Sequence, residues 1–213
     1  MHERPDRHEL GPLGPPLDAA PDGAAREWWL RTWLVLTAPS AVFTALRDDS
    51  PEAAALRSEP VLLIVILAGM ASVLSTPTAS GYSGLLLLVW AFLAGAFSGL
   101  VTYWLLGAVL YGAGAALGSQ GSYRRARHVL AFASVPIALS LVLSPLKFGL
   151  YGDSIGSGTG TGTDVFFALW IGACAWAAVL LVIGVRAVHG WSWGRALLAS
   201  VGPLGLGLLL ALA

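Results

Sequence analysis

Hydrophobic and polar positions are sharply segregated along this chain. A polar, proline-rich start gives way near residue 28 to a stretch in which tryptophans and leucines are set among charges, and from there long apolar runs dominate. The longest, 60–123, holds 64 consecutive residues without Asp, Glu, Lys or Arg, and further uncharged runs cover 165–185 and 196–213. A helix needs only about 20 predominantly apolar residues to cross a bilayer. The pattern predicts an all-α, polytopic membrane protein.

Punctuation within the runs divides them. The first span, 60–76, is closed by Pro77 and a turn-forming segment ending at Gly84. The next run, 85–117, is about 50 Å long as one helix at 1.5 Å per residue, against a hydrocarbon core of about 30 Å. Charge sidedness favours one long helix over two short ones. Arg26, Arg31, Arg47 and Arg57 precede the spans, Arg124, Arg125 and Arg127 follow the long run, and Arg186 and Arg195 sit in the last connector. Arginines in short loops stay cytoplasmic, and only a single helix over 85–117 puts all three groups on that side. Spans at 129–146, 165–185 and 196–213 complete a five-span domain over 59–213. Pro136 and Pro203 mark kinks, and a Gly/Ser/Thr connector at 152–164 reads as a flexible outer link. The N-terminus falls in the cytoplasm and the C-terminus outside the cytoplasmic membrane.

Ahead of this domain, residues 1–24 read as a disordered Pro-rich tail and 25–58 as short amphipathic helices in the headgroup layer. Trp28, Trp29 and Trp33 suit that boundary, because an indole is apolar yet carries an N–H that needs a partner. Val42, Phe43 and Leu46 share one face of a second short helix. Ser50-Pro51-Glu52 supplies a cap, a first-turn proline and a first-turn acid for a third.

Composition sharpens this picture mainly by exclusion. Only 11% of residues are charged and the formal net charge is zero, so nothing recruits nucleic acid. The lone Cys174 supports neither an internal disulfide nor a cysteine zinc site. Gly81-Tyr82-Ser83-Gly84 matches the string of intramembrane serine proteases, but His2, His8, His128 and His189 all fall on the opposite side from Ser83, so no base reaches it. The Gly/Ser/Thr connector lacks the lysine of a P-loop, and His2 and His8 lie where nothing fixes metal geometry. No catalytic residue, cofactor site or metal site is expected. The spans carry hydroxyls (Thr102, Tyr103, Ser134, Ser140, Ser144) but no acid or base of the kind a coupled pump buries, which leaves a passive channel as the alternative to a scaffold. Gly95 with Gly99, and Gly114 with Gly118, form G-x-x-x-G pairs that permit close helix packing.

The order of these features resembles the Yip1 domain family. The resemblance is carried by Pro39-Ser40-Ala41-Val42-Phe43, Glu59-Pro60 opening the first span, a long second span, Gly118-Ser119-Gln120-Gly121-Ser122-Tyr123 leading into Ala131-Phe132-Ala133-Ser134-Val135-Pro136, and the junction from Gly184 to Ala196 before the last helix. It implies a five-helix integral membrane protein without enzymatic activity. Eukaryotic members are associated with Rab-type GTPases and vesicle traffic. This tail is short and lacks their tyrosine-containing acidic-glycine motif. Eleven Arg to one Lys, with abundant Ala and Gly, suggests a bacterial, GC-rich source. The expected partners are the bilayer, anionic lipids included, and an unidentified membrane or cytosolic protein, with a homo-oligomer left open. Arg124, Arg125, Arg127, Arg186 and Arg195, with Trp28, Trp29 and Trp33, are the expected contact residues.

Overall fold

The computed structural model describes residues 21–76, 84–146 and 161–212. The described residues are helical and contain no strand. Among them run α1 (Pro21–Thr37), α2 (Pro39–Ala45), α3 (Pro51–Leu56), α4 (Ser58–Leu74), α5 (Gly84–Ala116), α6 (Tyr123–Ala133), α7 (Val135–Ser140), α8 (Thr161–His189) and α9 (Trp193–Leu212), and residues 143–146 are helical as well. The segments 1–20, 77–83 and 147–160, with residue 213, lie outside the described residues. His2, His8 and Ser83 are among them, as is most of the 152–164 connector.

Among the described residues four stretches are long and apolar enough to cross a membrane: Gly84–Ala116, Tyr123–Leu146, Val165–His189 and Trp193–Leu210. The expected first span corresponds to α4, whose 17 residues give roughly 26 Å at 1.5 Å per residue, short of a core of about 30 Å. Helix α5 runs unbroken for 33 residues. It ends by the device its sequence encodes. Gly118 adopts φ +79°, the Ser119 N–H reaches the Gly114 carbonyl at 2.9 Å and the Gly118 N–H reaches Ala115 at 2.9 Å, which is the Schellman arrangement that a C-terminal glycine permits. The same logic ends α8, where Gly190 has φ +67° and its N–H reaches the Arg186 carbonyl at 2.8 Å.

The third span is interrupted where its proline falls. Pro136 lacks an N–H, and the chain passes from α6 to α7 at Ser134, which caps α6 through bonds to Leu130 and Ala131. Pro203 is buried inside α9.

Close approach of α4 and α5 is set by glycine. A Cβ on Gly69 would overlap the Gly95 carbonyl oxygen, one on Gly95 would lie 2.5 Å from Met70 Cα, and one on Gly99 2.5 Å from the Val65 carbonyl oxygen. The pair Gly95 and Gly99 thus packs within the chain. Gly114, by contrast, meets only its own capping loop and Gly118 serves the cap.

The core gathers Val42, Phe43 and Leu46 of the α2 region with Ile64, Phe132, Leu180 and Val185. The apolar face of α2 is therefore spent on protein, as its contacts with α8 require. Helix α1 begins at Pro21, inside the segment read as tail. It does not divide as its tryptophans suggested: Trp28 is buried beside Phe132, ring centroids 5.7 Å apart, whereas Trp29, Leu30, Trp33 and Leu34 point outward. Trp28 is accordingly corrected from a lipid contact to a core residue.

Candidate functional site

Members of the three arginine groups, far apart in sequence, meet at one end of the bundle. Arg57, at the junction of α3 and α4, has no exposed surface. Its Nε–H donates to His128 Nδ1 at 2.8 Å and its Nη1 to the Asp48 carbonyl at 2.8 Å, while Nη2 faces Asp49 Oδ1 at 3.4 Å. A guanidinium has no lone pair to offer, so His128 accepts through Nδ1 and holds a neutral ring with its proton on Nε2. The Arg57 guanidinium also lies 5.5 Å from the Trp28 ring centroid. A buried charge is tolerated only when paired and hydrogen-bonded, and these contacts meet that condition. Burial pushes the Arg57 guanidinium below its ordinary value, opposed by the Asp49 carboxylate.

Asp49 ties the flank to α6. It accepts from the Ser122 hydroxyl, from Arg124 Nε at 3.1 Å, and its backbone carbonyl accepts from Arg124 Nη2. Burial alone would raise its carboxyl. The hydrogen bonds from Ser122 and Arg124, with the charges of Arg124 and Arg125, win and hold it below the usual carboxylate value. Ser122 has a second task, accepting the Arg125 N–H at 3.0 Å as the N-cap of α6.

The remaining arginines are individually placed. Arg125 donates to the Arg47 carbonyl at 2.8 Å, and Arg47 in turn donates to the Ala187 carbonyl through Nε at 2.8 Å and Nη2 at 2.6 Å. Arg127 runs across Gly107, where a side chain would collide with its stem, and places its guanidinium 3.8 Å from the Trp104 ring centroid, with Tyr123 and Tyr103 at 4.8 and 5.2 Å. Such cation–π contacts hold a cation without a counter-charge. Arg186 lies over Trp193 at 4.5 Å. Arg195 lies over Trp191 at 4.4 Å and donates to the Leu117 carbonyl. His189 stacks on Trp191, centroids 4.4 Å apart.

The arginines singled out from sequence are thus brought together, but they divide in use. Arg124 and Arg127 are half-buried and engaged within the protein, whereas Arg186 and Arg195 are exposed, Arg195 while donating to the Leu117 carbonyl. Sequence reasoning did not single out Arg57, Asp49 and His128 as a buried hub, nor Gly69 and Gly107 as close-approach positions. The signal for the hub was Asp48-Asp49 beside a helix cap, acids placed where an arginine one helix later needed partners. Within the spans, Ser134 and Ser140 turn their hydroxyls onto their own helix, donating to Ala131 and Ile137 at 2.8 and 2.7 Å. Among the described residues no group of three or more His, Cys, Asp or Glu is placed to hold a metal.

The outer surface completes the class. Leu85, Leu86, Leu88, Phe92, Leu93 and Phe97 all stand exposed along α5, Phe97 at 72%. So large a continuous apolar flank has no place in water. With four apolar helices of crossing length, it defines a multi-pass helical membrane protein. The family model of the Yip1 domain matches residues 33–213, and the chain belongs to the Yip1 domain family, membrane proteins not known for enzymatic activity. Neither the curated proteins nor the solved structures give a match.

Proposed function

We propose that this protein is a five-span scaffold of the cytoplasmic membrane, with α4 as a short first span, α1 to α3 at the cytoplasmic interface, and the arginine-rich end as the surface that engages anionic lipid and a protein partner. One observation carries the reading: arginines from the flank, from the start of α6 and from the facing ends of α8 and α9 converge on one end of the bundle, and two of them, Arg186 and Arg195, remain exposed over exposed or half-buried tryptophans. Positive charge collected at one membrane face is what orients a polytopic chain and attracts anionic headgroups. Tryptophan beneath such an arginine supplies an apolar body at headgroup depth.

The test uses the full chain in nanodiscs of phosphatidylcholine with a fixed fraction of phosphatidylglycerol. An arginine near the surface contributes about 1 kcal/mol to anionic-lipid attraction. The double variant Arg186→Gln, Arg195→Gln, worth about 2 kcal/mol together, is therefore expected to reduce co-purified phosphatidylglycerol by about thirtyfold. Retention equal to that of the unsubstituted protein overturns the lipid-engaging role.

A further inference from the structure

Where α5 ends, a small cavity opens between its capping loop, the first turn of α6 and the last turn of α8. Ser119, Ser122, Arg125, His189 and Tyr111 form its polar side, and the buried Val129 and Val185 its floor. No carboxylate lines it. Asp49, which accepts from Ser122 at the cavity's edge, is already engaged by Arg124 and Arg57.

Three polar atoms converge on the space that a side chain at residue 121 would take. From the Cβ position of Gly121, Ser119 Oγ lies at 3.1 Å, His189 Nε2 at 3.3 Å and Arg125 Nη1 at 3.7 Å. Arg125 commits Nη2 to the Arg47 carbonyl, and its Nε–H is buried with no acceptor. Buried donors of this kind ordinarily have a partner. His189 Nδ1 lies 2.9 Å from the Val185 carbonyl oxygen. A carbonyl only accepts, so Nδ1 carries the proton and Nε2 offers a lone pair in the neutral ring. Ser119 Oγ accepts the Gly121 N–H at 2.9 Å, and its own hydrogen remains to be given.

Around that point the cavity therefore presents one cation, one hydroxyl donor and one acceptor, the Ser122 hydroxyl being already given to Asp49. An anion with no hydrogen of its own satisfies the first two and leaves His189 Nε2 facing a negative oxygen. A phosphomonoester in its monoanionic state satisfies all three, because it has anionic oxygens and a P–OH. Its second ionisation lies near pH 6, so that state is present near neutrality.

Resting on the reading of this end as the lipid-engaging face, we propose that the cavity binds a phosphomonoester group, its anionic oxygens taken by Arg125 and Ser119 and its P–OH donating to His189 Nε2. The group belongs to a lipid headgroup such as that of phosphatidic acid or to soluble phosphate. The two sources share this chemistry and are separated by experiment.

The full chain is placed in phosphatidylcholine nanodiscs containing either phosphatidic acid or phosphatidylglycerol at equal mole fraction, and retained lipid is counted by native mass spectrometry. Inorganic phosphate is titrated calorimetrically onto nanodiscs of phosphatidylcholine alone. One charge-assisted hydrogen bond distinguishes the two lipids, so phosphatidic acid is expected to be retained about tenfold over phosphatidylglycerol. Gly121→Ala fills the cradle at a position with no backbone strain, and Arg125→Gln removes the cation; each is expected to abolish the preference. Phosphate binding with equal retention of the two lipids assigns the site to soluble phosphate. Equal retention without phosphate binding, or a preference unaltered in Gly121→Ala, overturns the site. Arg186→Gln with Arg195→Gln is expected to lower both lipids together and keep their ratio. That separates the general attraction from the pocket: retention unchanged by the double substitution, with the preference for phosphatidic acid intact in the unsubstituted protein, overturns the first reading alone. Thermal unfolding of each variant in detergent identifies a loss caused by misfolding, and Gly121→Ala carries the decision where Arg125→Gln unfolds.

Discussion

The α4–α5 seam and the arginine-rich end are two solutions to holding helices together where lipid removes much of the usual hydrophobic drive. At the seam, backbone meets backbone: Gly69, Gly95 and Gly99 remove side chains so that dispersion contacts act at the shortest range. At the end, Arg57, Asp49, His128 and Arg124 hold α3, α4 and α6 through charges and hydrogen bonds that need correct partners more than correct volume. The seam is intolerant of a methyl group, and the hub at the end is intolerant of a lost charge. Helix α5 takes part in both, packing on α4 through Gly95 and Gly99 and yielding to the stem of Arg127 at Gly107.

The sharpest break of this contrast is Gly69→Val. A branched side chain there meets the Gly95 carbonyl and the Gly99 backbone, which move only if the helices part. Overpacking a core ordinarily costs about 1–3 kcal/mol, and a backbone neighbour with no rotamer to change places this variant at or above the top of that range. Gly112→Val is the control, since a Cβ there meets nothing within 4 Å. Monodispersity and thermal unfolding in detergent check the pair. Similar unfolding temperatures for the two would show that the seam is not a close one.

Arg57→Gln comes next. It removes the donors to His128 and the Asp48 carbonyl and one of the two cations beside Asp49, while leaving Arg124 in place. Breaking one side of a buried charge pair costs about 3–5 kcal/mol, and the remaining Arg124 contact puts the expectation at the lower end. Glu27→Gln is the contrasting exposed change. Its i,i+4 pair with Arg31 is solvent-screened, and such surface pairs contribute about 0–1 kcal/mol. Equal effects of the two in an unfolding titration would remove the distinction between the buried hub and the surface.

These contrasts also explain what was legible in the sequence. The long apolar runs and the Ser50-Pro51 cap are local, periodic or compositional signals, and they appear in the structure as helices and an N-cap with Ser50 Oγ accepting from Ala53 at 3.2 Å, whereas Gly118, read from sequence as half of a packing pair, forms a Schellman turn. Gly95 and Gly99 were visible as a pair, but their partner Gly69 has no mate at four-residue spacing and becomes visible only once α4 lies against α5. Trp28 and Trp29 are adjacent and chemically alike. One is buried and the other exposed because of which way α1 rolls onto α6, a property of the packed bundle. The hub was hidden for a related reason. Arg57 lies 8 residues from Asp49 and 71 from His128, and no spacing rule connects residues that meet only in three dimensions.

The smallest expected effect concerns acid, and it separates the two regions without altering volume at all. Asp49 is held below its ordinary value of 3.8 by Ser122 and Arg124, against the pull of burial. Asp48 is lowered too, chiefly by the Ser50 backbone N–H at 3.0 Å. A carboxyl whose folded value is depressed binds its proton more readily when unfolded, so its contribution is complete above the unfolded value and is lost as pH falls through the folded one. Stability of the arginine-rich end is therefore expected to be level from neutrality down to about pH 5 and to decline as the medium passes below 3.8. Asp49→Asn should be less stable at neutral pH and should lose part of that acid dependence, the remainder belonging to Asp48. Cysteine accessibility at Ala54 and at Ala71, buried sites of α3 and of the seam-bearing α4, reads the two regions separately as pH is lowered. Ala54 is expected to open first. Opening of Ala71 at the same pH or earlier would mean that the seam, and not the charged end, carries the acid sensitivity.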